Sequence, residues 1–347
     1  MSQPATNLRG QSALVTGATG AVGPSLVHRL IGEGCKVRVL SRRPPAAGLL
    51  PDETEFIQGD ITLAESIVPG AENVDVVFHL ASKLHINSPS EDLRAEYERV
   101  NIQGTRNVVQ VAQDAGVRRV VYFSTISVYG PSADGKAFDE DSVLNPQELY
   151  AETKAEAESV ALAQTLAGSG KPLSVVLRLA AVYGPHMKGN YVRLMNSLKK
   201  GWFFPVGDGS NRRTLVYEGD VACAAILAAI HDGASGQVFN VTDGNIHTFR
   251  DILAAISVGL QRRAPSLYLP ACPVRLAAGL AEAAFRCVGK RPFINRSLVD
   301  KLLEDLAVNS EKFQRELGFT PQTGLTLGWQ RCIQELNRSE KNQTCSS

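Results

Sequence analysis

Short apolar runs alternate with amphipathic stretches through the first half of the chain, at the lengths of strands and helices. Ser12-Ala-Leu-Val-Thr16 is a run of the kind that fills a central parallel strand. It opens into Gly17-Ala-Thr-Gly20-Ala-Val-Gly23, and a helical pattern follows from Pro24 to Glu33. Further strands are predicted at Cys35 to Leu40, Glu55 to Gln58, Val74 to Leu80, Val120 to Phe123 and Ser174 to Leu179. A long helix is predicted from about Asp92 to Ala115, and another begins at Tyr150. Regular β–α alternation implies an α/β fold, a Rossmann-like doubly wound parallel sheet covered by helices on both faces.

The texture changes after residue 180. Val182 to Asn190 reads as a loop, Tyr191 to Lys200 as a helix, and Pro205 to Arg213 as a glycine-rich polar loop. Gln237 to Val241 looks like a strand returning to the sheet, and Thr248-Phe-Arg-Asp251 caps a helix to about Leu260. The expected division is a dinucleotide-binding domain over 1–180, completed by about 214–247. A smaller, mostly helical substrate domain takes 181–213 and 248–337, and 338–347 is a disordered tail.

Composition narrows the partners. The 347 residues carry a net charge of +1 with Lys and Arg spread out, which does not indicate nucleic-acid binding. Six cysteines without CxxC spacing read as reduced thiols of a cytoplasmic protein, and no metal site is expected. The N-terminus lacks a signal-peptide core. The apolar stretch Leu269 to Gly289 is broken by Arg275, Glu282 and Arg286, which argues against a membrane span but leaves contact with a membrane surface open.

Two motifs carry chemistry. In the glycine turn, Gly17 permits a tight bend, Gly20 lets backbone approach a pyrophosphate, and Gly23 lets helix and strand pack closely. The helix N-terminus then offers free N–H groups. After the second strand stands Ser41, followed by Arg42 and Arg43, in place of the acid that would bind an NAD ribose. That favours NADP over NAD. Gly59-Asp60-Ile61 ends the third strand near where an adenine would lie. The second motif is Phe123-Ser-Thr-Ile-Ser-Val-Tyr-Gly130 followed by Tyr150-Ala-Glu-Thr-Lys154. Tyr150 and Lys154 share one helical face. Bringing a phenol from about 10 to about 7 takes about 4 kcal/mol of differential interaction. A close ammonium and a second cation could supply it.

With these in place the sequence resembles the extended short-chain dehydrogenase/reductases, over about residues 10 to 335. Thr16 to Gly23, Gly59-Asp60, His79-Leu-Ala-Ser82, Asn101, Phe123 to Gly130, Tyr150/Lys154, Arg178 to Pro185 and Arg212 to Asp220 fall in the family's order. The likeness is greatest to sugar-nucleotide 4-epimerases and 4-keto reductases of bacterial surface-polysaccharide synthesis. His79 to His85 and the pairing of Gly189-Asn190 with Asn211-Arg212-Arg213 suggest that subgroup.

The resemblance implies Tyr150 as proton donor or acceptor, Lys154 on the nicotinamide ribose and Thr125 on the reacting oxygen. The oxidised nicotinamide is the second cation. It implies cofactor contacts from Gly17, Thr19, Gly20, Ala21, Val22, Gly23, Ser41, Arg42, Arg43, Asp60 and Ile61. Leu80, Ala81, Ser82, Lys83, Asn101 and Val182 complete that set. Thr125, Asn190 and Arg213 would hold a nucleotide-sugar substrate, Arg213 at its diphosphate. A homodimer is implied by relatives that pair the helices around 92–115 and 150–167.

Ile126 and Ser127 stand where dehydratases carry an Asp-Glu pair, which leaves one hydride and one proton to move. Ala181 replaces the Asn usual in galactose-type epimerases. Two further readings stay open. One is a dehydrogenase or reductase of an apolar alcohol, of the 3β-hydroxysteroid or dihydroflavonol type. The other is a non-catalytic NADP-binding protein.

Overall fold

A computed structural model describes residues 8–84, 93–132, 135–166, 168–201, 203–287 and 296–345. The apolar runs become strands because alternate side chains can be buried on both faces of a central sheet. Along the chain lie β1 (Ser12–Thr16), α1 (Gly23–Gly32), β2 (Lys36–Ser41), β3 (Glu55–Gln58), α2 (Ala64–Ala71) and β4 (Val76–His79). Then come α3 (Arg94–Tyr97), α4 (Gly104–Asp114), β5 (Arg119–Thr125), α5 (Leu149–Leu162), β6 (Ser174–Leu179) and β7 (Ala181–Tyr183). The second half holds α6 (Asn190–Lys200), β8 (Arg212–Arg213), β9 (Leu215–Tyr217), α7 (Glu218–Ile230), β10 (Val238–Val241) and β11 (His247–Thr248). It ends with α8 (Phe249–Gly259), α9 (Ala271–Cys287), α10 (Arg296–Leu303), α11 (Glu311–Leu317) and α12 (Leu325–Cys345).

The main sheet has seven strands in the order β3-β2-β1-β4-β5-β6-β10, every pair parallel. Residues one apart serve opposite cores. Val15, Val39, Val121 and Leu177 pack with α1, α7 and α11, while Leu14, Leu40, Val120 and Val176 pack with α2, α4 and α5. The chain doubles back between β1 and β4, so a crevice opens at the carboxyl ends of those two strands. Open α/β sheets bind ligands in such a crevice.

The second lobe is built on its own core, in which Tyr183, Met195, Leu198, Phe249, Ile252 and Trp329 are buried together. Two small sheets, β7 with β9 and β8 with β11, brace it. The Thr248 cap forms as a full capping box: Thr248 Oγ1 accepts from Asp251 N, and Asp251 Oδ2 accepts from Thr248 N.

Several local expectations are corrected. The predicted long helix contains a π-helical stretch, Glu98–Gln103, between α3 and α4. Its expected start at Asp92 lies outside the described residues, as does His85. Val182 lies on β7, and Asn190 is the first residue of α6, so neither is in a loop. Helix α12 continues to Cys345 through the stretch expected to be a disordered tail. Its backbone keeps helical form although the sequence there offers little apolar surface to bury.

Candidate active site

The glycine turn sits at the switch point of the sheet. Gly17 has φ +76°, and a Cβ there would meet Ala81 N at 2.5 Å and Leu80 C at 2.7 Å. The turn therefore closes against the segment leaving β4, which brings Gly17 to Gly23 together with Leu80 to Lys83. A Cβ on Gly23 would lie 2.2 Å from Ala18 O, so helix α1 docks on the turn only with glycine there. No side chain caps α1 at its N-cap, Val22. Its first N–H groups are thus left for a ligand. A cradle that a Cβ would fill, at the mouth of a helix, fits the diphosphate of a dinucleotide.

The neighbouring strand ends hold the rest of the predicted cofactor set. Ser41 ends β2, and its Oγ donates to Arg43 O at 2.6 Å, while Arg42 and Arg43 are exposed. Asp60 follows β3, with Oδ1 accepting from Thr62 N at 2.9 Å. Ile61 is buried against Gly104 at the start of α4. Because all these strands are parallel, their carboxyl ends share one edge. Asn101 occupies the π-helical stretch. Its Oδ1 accepts from Lys83 N at 2.7 Å and its Nδ2 donates to Thr153 Oγ1 at 3.0 Å. One amide thereby ties the segment after β4 to the residue beside Lys154. Lys83 also pairs with Glu96 at 2.6 Å.

Thr125 ends β5 and caps a short 3₁₀ turn, Ile126–Tyr129. Its Oγ1 donates to Ser127 Oγ and accepts from Ser127 N, each at 3.2 Å. Lys154 reaches the same strand from α5: Nζ donates to Phe123 O at 2.5 Å and stands 4.1 Å from the Tyr122 ring centroid. Burial pulls this ammonium from 10.5 down to about 7, with Glu158 one turn further on holding it up. Burial, with the Tyr97 hydroxyl adding to it, raises the Tyr150 phenol from 10 to about 12. The chain by itself therefore makes Tyr150 a weaker acid than a free phenol, and a cation that lowers it has to come from outside the chain.

A network of residues not given a role from sequence surrounds this centre. Glu158 and Arg178 form a buried ion pair: Arg178 Nε lies 3.1 Å from each carboxylate oxygen, and a terminal nitrogen lies 2.7 Å from Oε2. Ser124, beside Thr125, donates to the same carboxylate. Arg178 also donates to Tyr129 Oη at 2.8 Å, and Tyr129 donates to Asn240 at 2.8 Å. The spacing of Glu158 from Lys154 signals it, since residues four apart on a helix are neighbours. Glu218 carries no such signal. It accepts from Ser25 Oγ at 2.5 Å, and from His186 N at 3.0 Å, joining α1 to the loop after β7. His186 Nδ1 lies 2.7 Å from the same carboxylate, which raises the imidazole above its usual range. Lys188 Nζ reaches Thr19 O on the glycine turn at 2.9 Å.

The remaining predicted residues belong to the second lobe. Arg213 is half-buried on β8, opposite His247 of β11, and its charge reaches Tyr191 in the first turn of α6. Asn190 precedes Tyr191, and Val182 pairs with Val216. His79 is a packed strand-end residue: Nδ1 meets Thr16 Oγ1 at 2.7 Å and Nε2 meets Thr105 Oγ1 at 3.0 Å.

A parallel sheet of this order with a glycine cradle at its switch point defines a Rossmann-type dinucleotide enzyme. The pattern of the NAD dependent epimerase/dehydratase family matches residues 13–242, and the chain belongs to that family of NAD-dependent enzymes. The UDP-glucose 4-epimerase of Vibrio cholerae is 30% identical over 333 residues, covering 93% of this chain and 95% of its own. The 3 beta-hydroxysteroid dehydrogenase/Delta 5-->4-isomerase of Mycobacterium tuberculosis is 30% identical over 321 residues, covering 89% and 85%. Among solved structures, MoeE5 in complex with UDP-glucuronic acid and NAD is 29% identical with a TM-score of 0.72, covering 94% of this chain and 99% of its own.

Proposed function

We propose that the protein is a sugar-nucleotide oxidoreductase that moves a hydride at C4 of a UDP-sugar. The observation that carries this reading is Arg213, a half-buried guanidinium of the second lobe whose charge reaches Tyr191, the residue after Asn190. A fixed, bidentate cation suits a diphosphate and has no counterpart need in an apolar alcohol. The UDP-sugar complex of MoeE5 and the Vibrio epimerase support it.

The dinucleotide would rest on Gly17, Thr19, Gly20, Ala21, Val22 and Gly23, flanked by Leu80 to Lys83. When bound, it supplies the hydride donor or acceptor and, in its oxidised form, a positive charge. The chain's own residues do the rest. Tyr150 gives or takes the proton on the reacting oxygen, Thr125 donates a hydrogen bond to that oxygen, and Lys154 holds the ribose. A phenol at about 12 is a weak acid and is almost wholly protonated near neutral pH, so the positive charge that the nicotinamide would carry in its oxidised form, present at the start of an oxidation and developing during a reduction, is what brings Tyr150 into range.

Arg42 and Arg43 after β2 favour NADPH, and with it an exchanged reductant and a 4-keto reductase. Obligate NADPH consumption is the expected outcome. Conversion of a UDP-sugar without added cofactor would make the enzyme an epimerase instead. Arg213→Ala should raise the KM for UDP-sugar about ten- to a hundredfold, the value of a lost charged hydrogen bond. An unchanged KM contradicts the diphosphate role. The mycobacterial relative keeps a second reading in view, a dehydrogenase of an apolar alcohol, which the same variant would leave active on a 3β-hydroxysteroid.

A further inference from the structure

The second lobe carries a face that this chemistry does not use. Phe204 and Leu267, 53% and 61% exposed, line one cleft with Arg262 and Arg263. The backbone fixes that neighbourhood, because Leu269 N donates to Pro205 O at 2.8 Å. Helix α9 begins two residues later and exposes Leu276 (62%) and Leu280 (65%), four apart and so on one side. Its other side is engaged: Ala278 is buried, and Arg275 pairs with Asp300 of α10 at 3.0 Å. Seven described large hydrophobic residues are more than half exposed, and these four are among them. Two of them share one cleft and two share one side of the helix that follows it in the chain, which differs from the single scattered side chains of an ordinary surface.

The charge around the face says what covers it. Arg262 and Arg263 are exposed within the cleft, and Lys199 and Lys200 are exposed at the end of α6 beside it. Of the acids nearby, Asp300 is paired with Arg275, while Glu282 accepts from the backbone N–H of Arg296 and Asp208 from Ser210, each keeping its charge, so the four cations outnumber the two unpaired acids. An apolar stripe rimmed with cations complements anionic headgroups over acyl chains. Helix α9 has 17 residues and carries Arg275 and Glu282, and among the described residues no helix is long and apolar enough to cross a membrane. A helix of that kind lies in the interface plane.

We propose that this face docks on an anionic lipid bilayer, with Phe204, Leu267, Leu276 and Leu280 entering the interface and Arg262 and Arg263 on headgroup phosphates. The test is co-sedimentation of the full chain with vesicles rich in phosphatidylglycerol and with vesicles of phosphatidylcholine alone. The expected result is binding to the first only, weakened by salt. Leu276→Glu with Leu280→Glu should lower partitioning about tenfold or more. Arg262→Gln with Arg263→Gln should lower it roughly thirtyfold at low salt. Turnover in solution should stay unchanged in both, with circular dichroism confirming the fold. Three results would each overturn the proposal: no binding to either vesicle, equal binding that survives both pairs of substitutions, or leucine variants that instead change the oligomeric state of the lipid-free protein. The last result would make the face a contact between copies.

Discussion

Burial acts in opposite directions on the acids and bases around this site, and the consequences can be read at single residues. Burial, helped by the Lys154 charge, lowers His79 from 6.5 to about 3. The folded chain keeps that ring neutral where the unfolded chain protonates it. Between about 6.5 and about 3 the unfolded state holds the extra proton, so stability is lost as the pH falls through that window. His79→Gln cannot titrate and should flatten the slope of unfolding free energy against pH there by up to about one proton. Urea melts across that range would show it, and an unaltered slope would contradict a neutral buried ring. Glu158→Gln removes one half of a buried pair and leaves the Arg178 charge uncompensated. The expected cost is about 3–5 kcal/mol of stability, measured by the same melts. A variant as stable as the parent would mean that Arg178 finds another partner.

At the scale of elements, the fit of α1 against the glycine turn is the most exposed to test. Gly23→Ala places a methyl where Ala18 O already stands. The helix must shift, and dinucleotide affinity should fall about tenfold or more, following an overpacking cost of about 1–3 kcal/mol. A fluorescence titration with NADPH would detect this, and an unchanged Kd would contradict the cradle. The strands of the sheet were legible in the sequence because continuous apolar runs admit few other states at that length. Ser12–Thr16 and Ser174–Leu179 fall where the runs lie, and Val76–His79 falls within one, whereas the edge strand Glu55–Gln58 offers only Phe56 and Ile57. The π-helical stretch around Asn101 was not legible. A pattern with a period near 3.6 marks a helical face but not the point where one turn widens, and here the widening coincides with the amide that grips Lys83 and Thr153. The paired ends β7–β9 and β8–β11 were hidden for another reason: strands of two or three residues leave no period to count.

Across the whole molecule, two lobes meet over the carboxyl edge of the sheet. Glu218 and Lys188 tie the loop after β7 to the glycine turn and α1, over separations of 193 and 169 residues. Links of that range leave no mark in local spacing, so the sequence pointed to the glycine turn and the Tyr150/Lys154 pair but not to how the second lobe is fastened to them. Glu158, four residues from Lys154, was within reach of the same spacing argument that paired Tyr150 with Lys154. In the proposed reaction Tyr150 is the group that moves the proton while the rest of the site holds the reactants. The most direct measurement compares the chain with Tyr150→Phe, following both NADPH affinity and conversion of a UDP-sugar. The expected result is an unchanged Kd for NADPH and turnover reduced by about two to four orders of magnitude. A Tyr150→Phe enzyme that converts the sugar nucleotide at the parent rate would contradict it.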